Sequence, residues 1–209
     1  DGFDDLIVGA YGADPNGSIS GSSYVIFGFA TLGGDIDVVG TSANNSITLA
    51  TGERGVDGGA GNDSLSGDTG NDTSFGGQGR DTIDGGSGSD VLRGFAGRDM
   101  INGGDDDDHV HGGAGRDNLE GGDGADSVVG GIGQDTLLGG ADDDTLEGSA
   151  GNDSISGNAG SDRAIFSSDT SFTISDALVT GAGSDNIDML EVVQVTAGDS
   201  PNNIDATAV

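Results

Sequence analysis

An aspartate recurs every nine residues along half of this chain, with no insertion or deletion to break the count. The series is Asp63, Asp72, Asp81, Asp90, Asp99, Asp108, Asp117, Asp126, Asp135, Asp144, Asp153 and Asp162. Carboxylates repeated at fixed pitch among glycines offer a stack of hard, anionic oxygen donors. Such donors suit a divalent cation, and calcium best: it accepts roughly six to eight oxygens in flexible geometry, where magnesium demands a stricter octahedron. Transition metals prefer imidazole or thiolate, and the chain has two histidines and no cysteine.

The element that carries the aspartates is a nonapeptide, seen in GGAGNDSLS (58 to 66), GGQGRDTID (76 to 84), GGAGRDNLE (112 to 120), GGIGQDTLL (130 to 138) and GSAGNDSIS (148 to 156). With two weaker units, GTSANNSIT (40 to 48) and LATGERGVD (49 to 57), the series runs through fourteen contiguous units from Gly40 to Ile165. Glycine holds the first position in thirteen of the fourteen and the fourth in eleven. That is the residue for a backbone with positive φ or one that closely approaches an ion. The first six residues of a unit read as a turn and the last three as a short strand. The eighth position points inward: Ile47, Val56, Leu65, Ile83, Leu92, Ile101, Val110, Leu119, Val128, Leu137, Leu146 and Ile155 occupy it, with Ser74 and Ala164 as weak spots. Positions seven and nine are mostly polar, so the alternation predicts strands with one buried face.

Composition narrows the function classes. The 209 residues include 44 glycines and 4% aromatics, too little for a dense conventional core. The 37 acidic residues against six arginines give a net charge of −31, a surface that repels nucleic acid and attracts multivalent cations. Low hydrophobicity with high charge predicts that the metal-free chain is largely unfolded. No apolar run is long enough to span a membrane and no basic, apolar leader opens the segment, so an export signal, if one exists, lies outside it.

The units resemble GGxGxDxUx, with U a large aliphatic residue, the signature of the RTX or hemolysin-type calcium-binding repeats. That resemblance implies an all-β fold, a right-handed parallel β-roll (a β-solenoid) in which two nonapeptides make one coil and loops eighteen residues apart stack. One column of loops would carry Asp63, Asp81, Asp99, Asp117, Asp135 and Asp153, and the other Asp72, Asp90, Asp108, Asp126, Asp144 and Asp162. Six loops and five gaps per column set a ceiling of about ten Ca²⁺ ions. Each aspartate would bridge two ions, with carbonyls of the turn glycines completing the shell; those singled out are Gly59, Gly61, Gly77, Gly79, Gly86, Gly88, Gly113, Gly115, Gly122, Gly124, Gly131 and Gly133.

The ends differ from the middle. Residues 1–30, with the DGFDDL start, the GADP turn and the YVIFG strand, resemble a partial FG-GAP repeat of the integrin-α type; 31–39 reads as a linker and 40–165 as the roll. Residues 166–195 resemble the β-rich cap of secreted rolls, with Phe166, Phe172, Ile174, Leu178, Ile187, Leu190, Val192 and Val193 as apolar faces, and 196–209 as the possible start of a next module. Asn45 and Arg54 stand where the first unit of each column would carry its aspartate; the arginine is either a fixed cation ending the stack or a decayed terminal repeat. Arg80, Arg98 and Arg116 form an exposed ladder. Asp106 and Asp142 replace turn glycines, which predicts two weaker or differently shaped sites, and His109 and His111 share a strand face without a visible third metal ligand.

No HExxH helix or GxSxG elbow is present, and the ladder accounts for the carboxylates, so no catalysis is expected within this segment. The third and fifth positions form no flat Thr or Asn rank of the kind an ice-binding surface needs. The family resemblance implies a calcium-binding structural module of a secreted or cell-surface protein. It would be loose at cytosolic calcium, passed by a type I exporter and wound outside the cell; the alternative is the calcium-dependent tail of an exported enzyme. Expected partners are calcium ions, other modules of the same polypeptide and cell-surface or matrix ligands, without nucleic acid or a membrane span.

Overall fold

The computed structural model describes Ser22–Ser23 and residues 38–49, 55–151, 153–166 and 190–195. Among these residues the chain is all-β, and every strand pairing is parallel. Successive strands alternate between two sheets as far as Asp162–Phe166. One has eight strands, from Ser22–Ser23 to Ser154–Ala159, and the other nine, from Val38–Val39 to Leu190–Val195. From Val38–Val39 to Asp162–Phe166 each strand therefore pairs with the one two places on, eighteen residues away, as Leu119 aligns with Ile101 on one side and Leu137 on the other; Ser22–Ser23 and Leu190–Val195 join the two sheets outside that spacing. This is the parallel β-solenoid expected of two nonapeptides per coil. No helix among the described residues is long and apolar enough to cross a membrane.

Stacking at one coil per eighteen residues puts like on like, a strand spacing of about 4.8 Å apart. The inner wall of the eight-stranded sheet is the file Ile47, Leu65, Ile83, Ile101, Leu119, Leu137 and Ile155, and that of the nine-stranded sheet is Val38, Val56, Ser74, Leu92, Val110, Val128, Leu146 and Ala164, all buried. The eighth position is thus inward throughout. Ser74 and Ala164, the two weak spots, are also fully enclosed, at 0% exposure.

Three features depart from the sequence expectation. From Thr73 to Ala159 the strands are longer than three residues: Thr73–Gly79 and Thr82–Ser87 run from the seventh position of one unit through the glycines of the next, because the glycine backbones of stacked coils continue the ladder. The inward face also holds three positions rather than one, since the aspartates at position six and the glycines at position one are buried beside the eighth-position aliphatics. Finally, Val38–Val39, within the expected linker, pairs with Gly55–Asp57 and buries Val38, so the sheet begins before Gly40.

At the far end Leu190–Val195 joins the nine-stranded sheet beside Asp162–Phe166 with a register shift at Asp162/Arg163. The remainder of the expected cap, the FG-GAP fragment apart from Ser22–Ser23, Arg54 and the 196–209 segment lie outside the described residues.

Ser74 has a buried hydroxyl with no hydrogen-bond partner, between Val56 and Leu92 on the neighbouring coils. Removing an unsatisfied buried hydroxyl relieves its desolvation cost, so Ser74→Ala should stabilise the wound chain by about 1 kcal/mol. Thermal unfolding in calcium buffer checks this, and a lower midpoint in the variant would contradict it.

Candidate metal centre

The turns stack in two columns along the edges of the roll, where the chain passes from one sheet to the other. The ladder aspartates lie in these turns, and all but Asp153 are buried to 3% exposure or less. Their side chains point into the edge of the interior because position six shares the inward parity of position eight.

The two oxygens of each carboxylate have different roles. Oδ1 accepts a hydrogen bond from the backbone N–H of the aspartate one coil earlier. Asn45 N–H donates to Asp63 Oδ1, Asp63 N–H to Asp81, and so on to Asp135 with Asp153 in this column, and Asp72 with Asp90 through to Asp144 with Asp162 in the other, at 2.7 to 3.0 Å. The aspartate carbonyl is also taken, as when Thr82 N–H donates to Asp63 O and Asn118 N–H to Asp99 O. Each aspartate thereby rivets its coil to the next. Oδ2, in contrast, has no partner at Asp63, Asp81, Asp90, Asp99, Asp108, Asp117, Asp126, Asp135, Asp144 or Asp162, although it is buried.

The first-position glycines make room for that oxygen. A Cβ built on Gly58 would stand 2.6 Å from Asp63 Oδ2, and one on Gly112 2.6 Å from Asp117 Oδ2 and 2.7 Å from the Gly130 carbonyl oxygen. Their φ is not positive; the requirement is space. The exception supports this account, since the unit with Leu49 in first position, buried at 2% exposure, has Arg54 rather than aspartate at its sixth. Positive φ belongs instead to the second and fourth positions. Of the twelve glycines singled out from sequence, all but Gly133 adopt it. Asp106 and Asp142 keep the turn in the left-handed conformation, at φ of 78° and 75°, a region aspartate tolerates better than most residues.

A row of buried carboxylates is electrostatically unfavourable on its own. Desolvation, only partly opposed by the backbone hydrogen bond and reinforced by neighbouring carboxylates, raises Asp90, Asp99 and Asp126 to about 6 and Asp108 and Asp144 to about 7. Asp108 and Asp144 each have the extra charge of Asp106 or Asp142 two residues away. The other ladder members are raised as well, by desolvation first.

These residues fit a hard cation. They supply partnerless anionic oxygens, in a cradle that a Cβ would fill, beside the carbonyls of glycine turns. Among the described residues no three His, Cys, Asp or Glu side chains converge on one point, so an ion here would draw most of its ligands from main-chain carbonyls. That donor set suits calcium and disfavours transition metals. His109 and His111 are exposed on the outer face of His109–Gly115, aligned with Val91 and Ser127, and with Arg93 and Val129, none of which is a third metal ligand. Arg80, Arg98 and Arg116 are exposed one coil apart. The sequence held no local signal for the backbone donor to Oδ1, which lies eighteen residues away and appears only once coils stack.

A scan against family models matches the RTX calcium-binding nonapeptide repeat in four copies, at residues 56–83, 75–110, 102–137 and 138–168, together more than half of the chain. No curated protein matches it.

Because folding raises the carboxylate pKa values, it favours the protonated ladder. In chelator, that contribution is fully present below about 3.8, the ordinary aspartate value, and is lost as pH rises through about 6 to 7. The β-signal of the ion-free chain should therefore fall between pH 5 and pH 8 (roughly the upper part of that window), and a signal that grows over this range would contradict the assignment. Gly112→Ala should destabilise the roll by about 1–3 kcal/mol through overpacking against Asp117. Calcium-dependent thermal unfolding is the measurement, and an unchanged midpoint would mean that the first position has slack.

Proposed function

The chain belongs to the RTX calcium-binding nonapeptide repeat family, and on that premise we propose that this segment is a calcium-wound structural module of a secreted or cell-surface protein, with no catalysis of its own. The observation that supports this most is the file of buried Oδ2 atoms without partners. Buried polar atoms are satisfied in stable folds, and ten orphaned carboxylate oxygens in register are a structural demand for cations.

The ladder residues from Asp63 to Asp162 would hold the ions through Oδ2, with second- and fourth-position carbonyls such as those of Gly59, Gly61, Gly77 and Gly79 as further donors. Five gaps per column again give a count of about ten. Bound calcium would supply the positive charge that lets the carboxylates remain ionised in a dry edge. The chain's own part is to hold Oδ1 on the backbone of the preceding coil, which fixes the carboxyl and leaves Oδ2 directed into the turn. Few aliphatic residues per coil make winding weak without that term, so binding to the wound form alone shifts the equilibrium. Extracellular modules bind calcium with dissociation constants of about 10⁻⁴ to 10⁻³ M, which would leave the segment loose at cytosolic calcium during export and wound outside.

Circular dichroism of the chain should therefore show a cooperative rise of β-structure with added Ca²⁺ and little response to Mg²⁺. An equally ordered spectrum in chelator at neutral pH would sink this reading.

A further inference from the structure

We propose that wound rolls associate side by side with a second copy of this chain, the edge bearing Arg80, Arg98 and Arg116 of one roll docking on the edge bearing Asp105, Asp107 and Asp123 of the next. The two edges of the roll are chemically opposite. Turns 76–81, 94–99, 112–117 and 130–135, which pass from the nine-stranded to the eight-stranded sheet, have no carboxylate outside the buried ladder. They display Arg80, Arg98 and Arg116, three of the six arginines in a chain of net charge −31. The other edge, built from turns 85–90, 103–108, 121–126 and 139–144, has no arginine and exposes Asp105, Asp106, Asp107, Asp123, Asp142 and Asp143.

Apolar surface is segregated in the same way. The large hydrophobic side chains exposed among the described residues are Val39, Phe95, Met100 and Ile132; Phe95 and Met100 lie in or immediately beside the turn of Arg98, and Ile132 lies in the 130–135 turn of the same edge, at 46%, 50% and 68% exposure. Arginine, aromatic and methionine residues without acidic ones are the composition of a protein interface, and scattered exposure does not produce that combination on one edge. Phe95 adds an independent sign. It adopts φ of 73° where its aligned neighbours Gly77 and Gly113 are glycines, a strained conformation for a bulky residue. Its ring rests edge-on against Phe75, with centroids 5.6 Å apart. Beside it a shallow recess of about 250 Å³ opens between Arg93, Phe95, His111 and Gly113, room for a side chain from a partner.

Pitch selects the partner. Arg98 and Arg116 stand one coil apart, and so do Asp105 and Asp123, which are aligned in adjacent strands. Two rolls laid parallel would match these rows coil for coil, whereas apposing two arginine edges would set like charges together. The contact is therefore heterologous and leaves each pair a free edge of either sign, so association continues as a row. It rests on the roll being wound, which ellipticity in the same samples reports separately from association.

The test is sedimentation velocity of the whole chain in calcium buffer, at low salt and at about 0.5 M NaCl, where charges are screened within a few ångströms. The wild-type sedimentation coefficient should rise with concentration at low salt and not at high salt. Arg98→Glu with Arg116→Glu, and separately Asp105→Arg with Asp123→Arg, should each weaken association at least tenfold, and an equimolar mixture of the two should restore it. Phe95→Gly restores the glycine of the neighbouring coils, so it should wind at least as readily and associate less. A wild-type chain that remains monomeric, association indifferent to both charge reversals, or a Phe95→Gly variant that associates as before would overturn the proposal.

Discussion

The structure depends on a row of carboxylates enclosed where carboxylates are ordinarily excluded. Taking an ionised group out of water is costly unless it is paired, and folds usually avoid the problem by leaving such groups at the surface. In this roll every ladder aspartate but Asp72 is tied by Oδ1 to the backbone of the preceding coil, and its inward orientation is fixed by strand parity. Rotation to solvent would break the same bond that rivets successive coils. The fold therefore cannot form without enclosing the charges, and the enclosed charges set the terms on which it is stable.

Repetition turns that constraint into a collective property. Because coils stack in register every eighteen residues, a favourable residue meets its own kind above and below, and so does an unfavourable one. The aliphatic files profit from this. The aspartate files would suffer from it, and neighbouring ladder charges raise one another's pKa, as at Asp99 between Asp81 and Asp117. Each coil touches only its neighbours, so stability accumulates along one dimension and a cation held between two coils contributes to both. Weak burial per coil and strong coupling between coils together make winding steep.

Much of this was legible in the sequence because periodicity is a global signal. The pitch of nine, the aliphatic eighth position and the oxygen-only donor set identify the solenoid and the ladder without reference to structure. What remained hidden depends on contacts across coils. The first-position glycines look like turn residues, yet Gly58 and Gly112 are needed because Asp63 and Asp117 fill the space a side chain would occupy. The strands extend through residues that read as turns, because a glycine backbone can pair as well as bend. The aspartates read as candidate ligands and not as core residues, since burial of a carboxylate runs against the ordinary rule.

The departures from the repeat distinguish one coil from the next. A perfect nonapeptide array would have two equivalent edges, and this chain does not. In the column of Asp81, Asp99 and Asp117, the fifth position holds arginine, so a cationic side chain leaves the turn beside each of those carboxylates. In the column of Asp108 and Asp144, the fourth and fifth positions are Asp106 and Asp107, and Asp142 and Asp143; burial, then the ladder carboxylates on the adjacent coils, then Asp106 or Asp142 take these two ladder members furthest from the ordinary carboxylate range. Asp106 and Asp142 accomplish this without disturbing the turn, because both accept the left-handed backbone that glycine would have taken. Substitution at non-structural turn positions therefore tunes charge edge by edge while the buried positions six, eight and one hold the coil constant. The same separation lets the outer surface acquire Met100 and Ile132 away from the buried ladder, whereas Phe95 takes a left-handed backbone position that glycine holds on the adjacent coils.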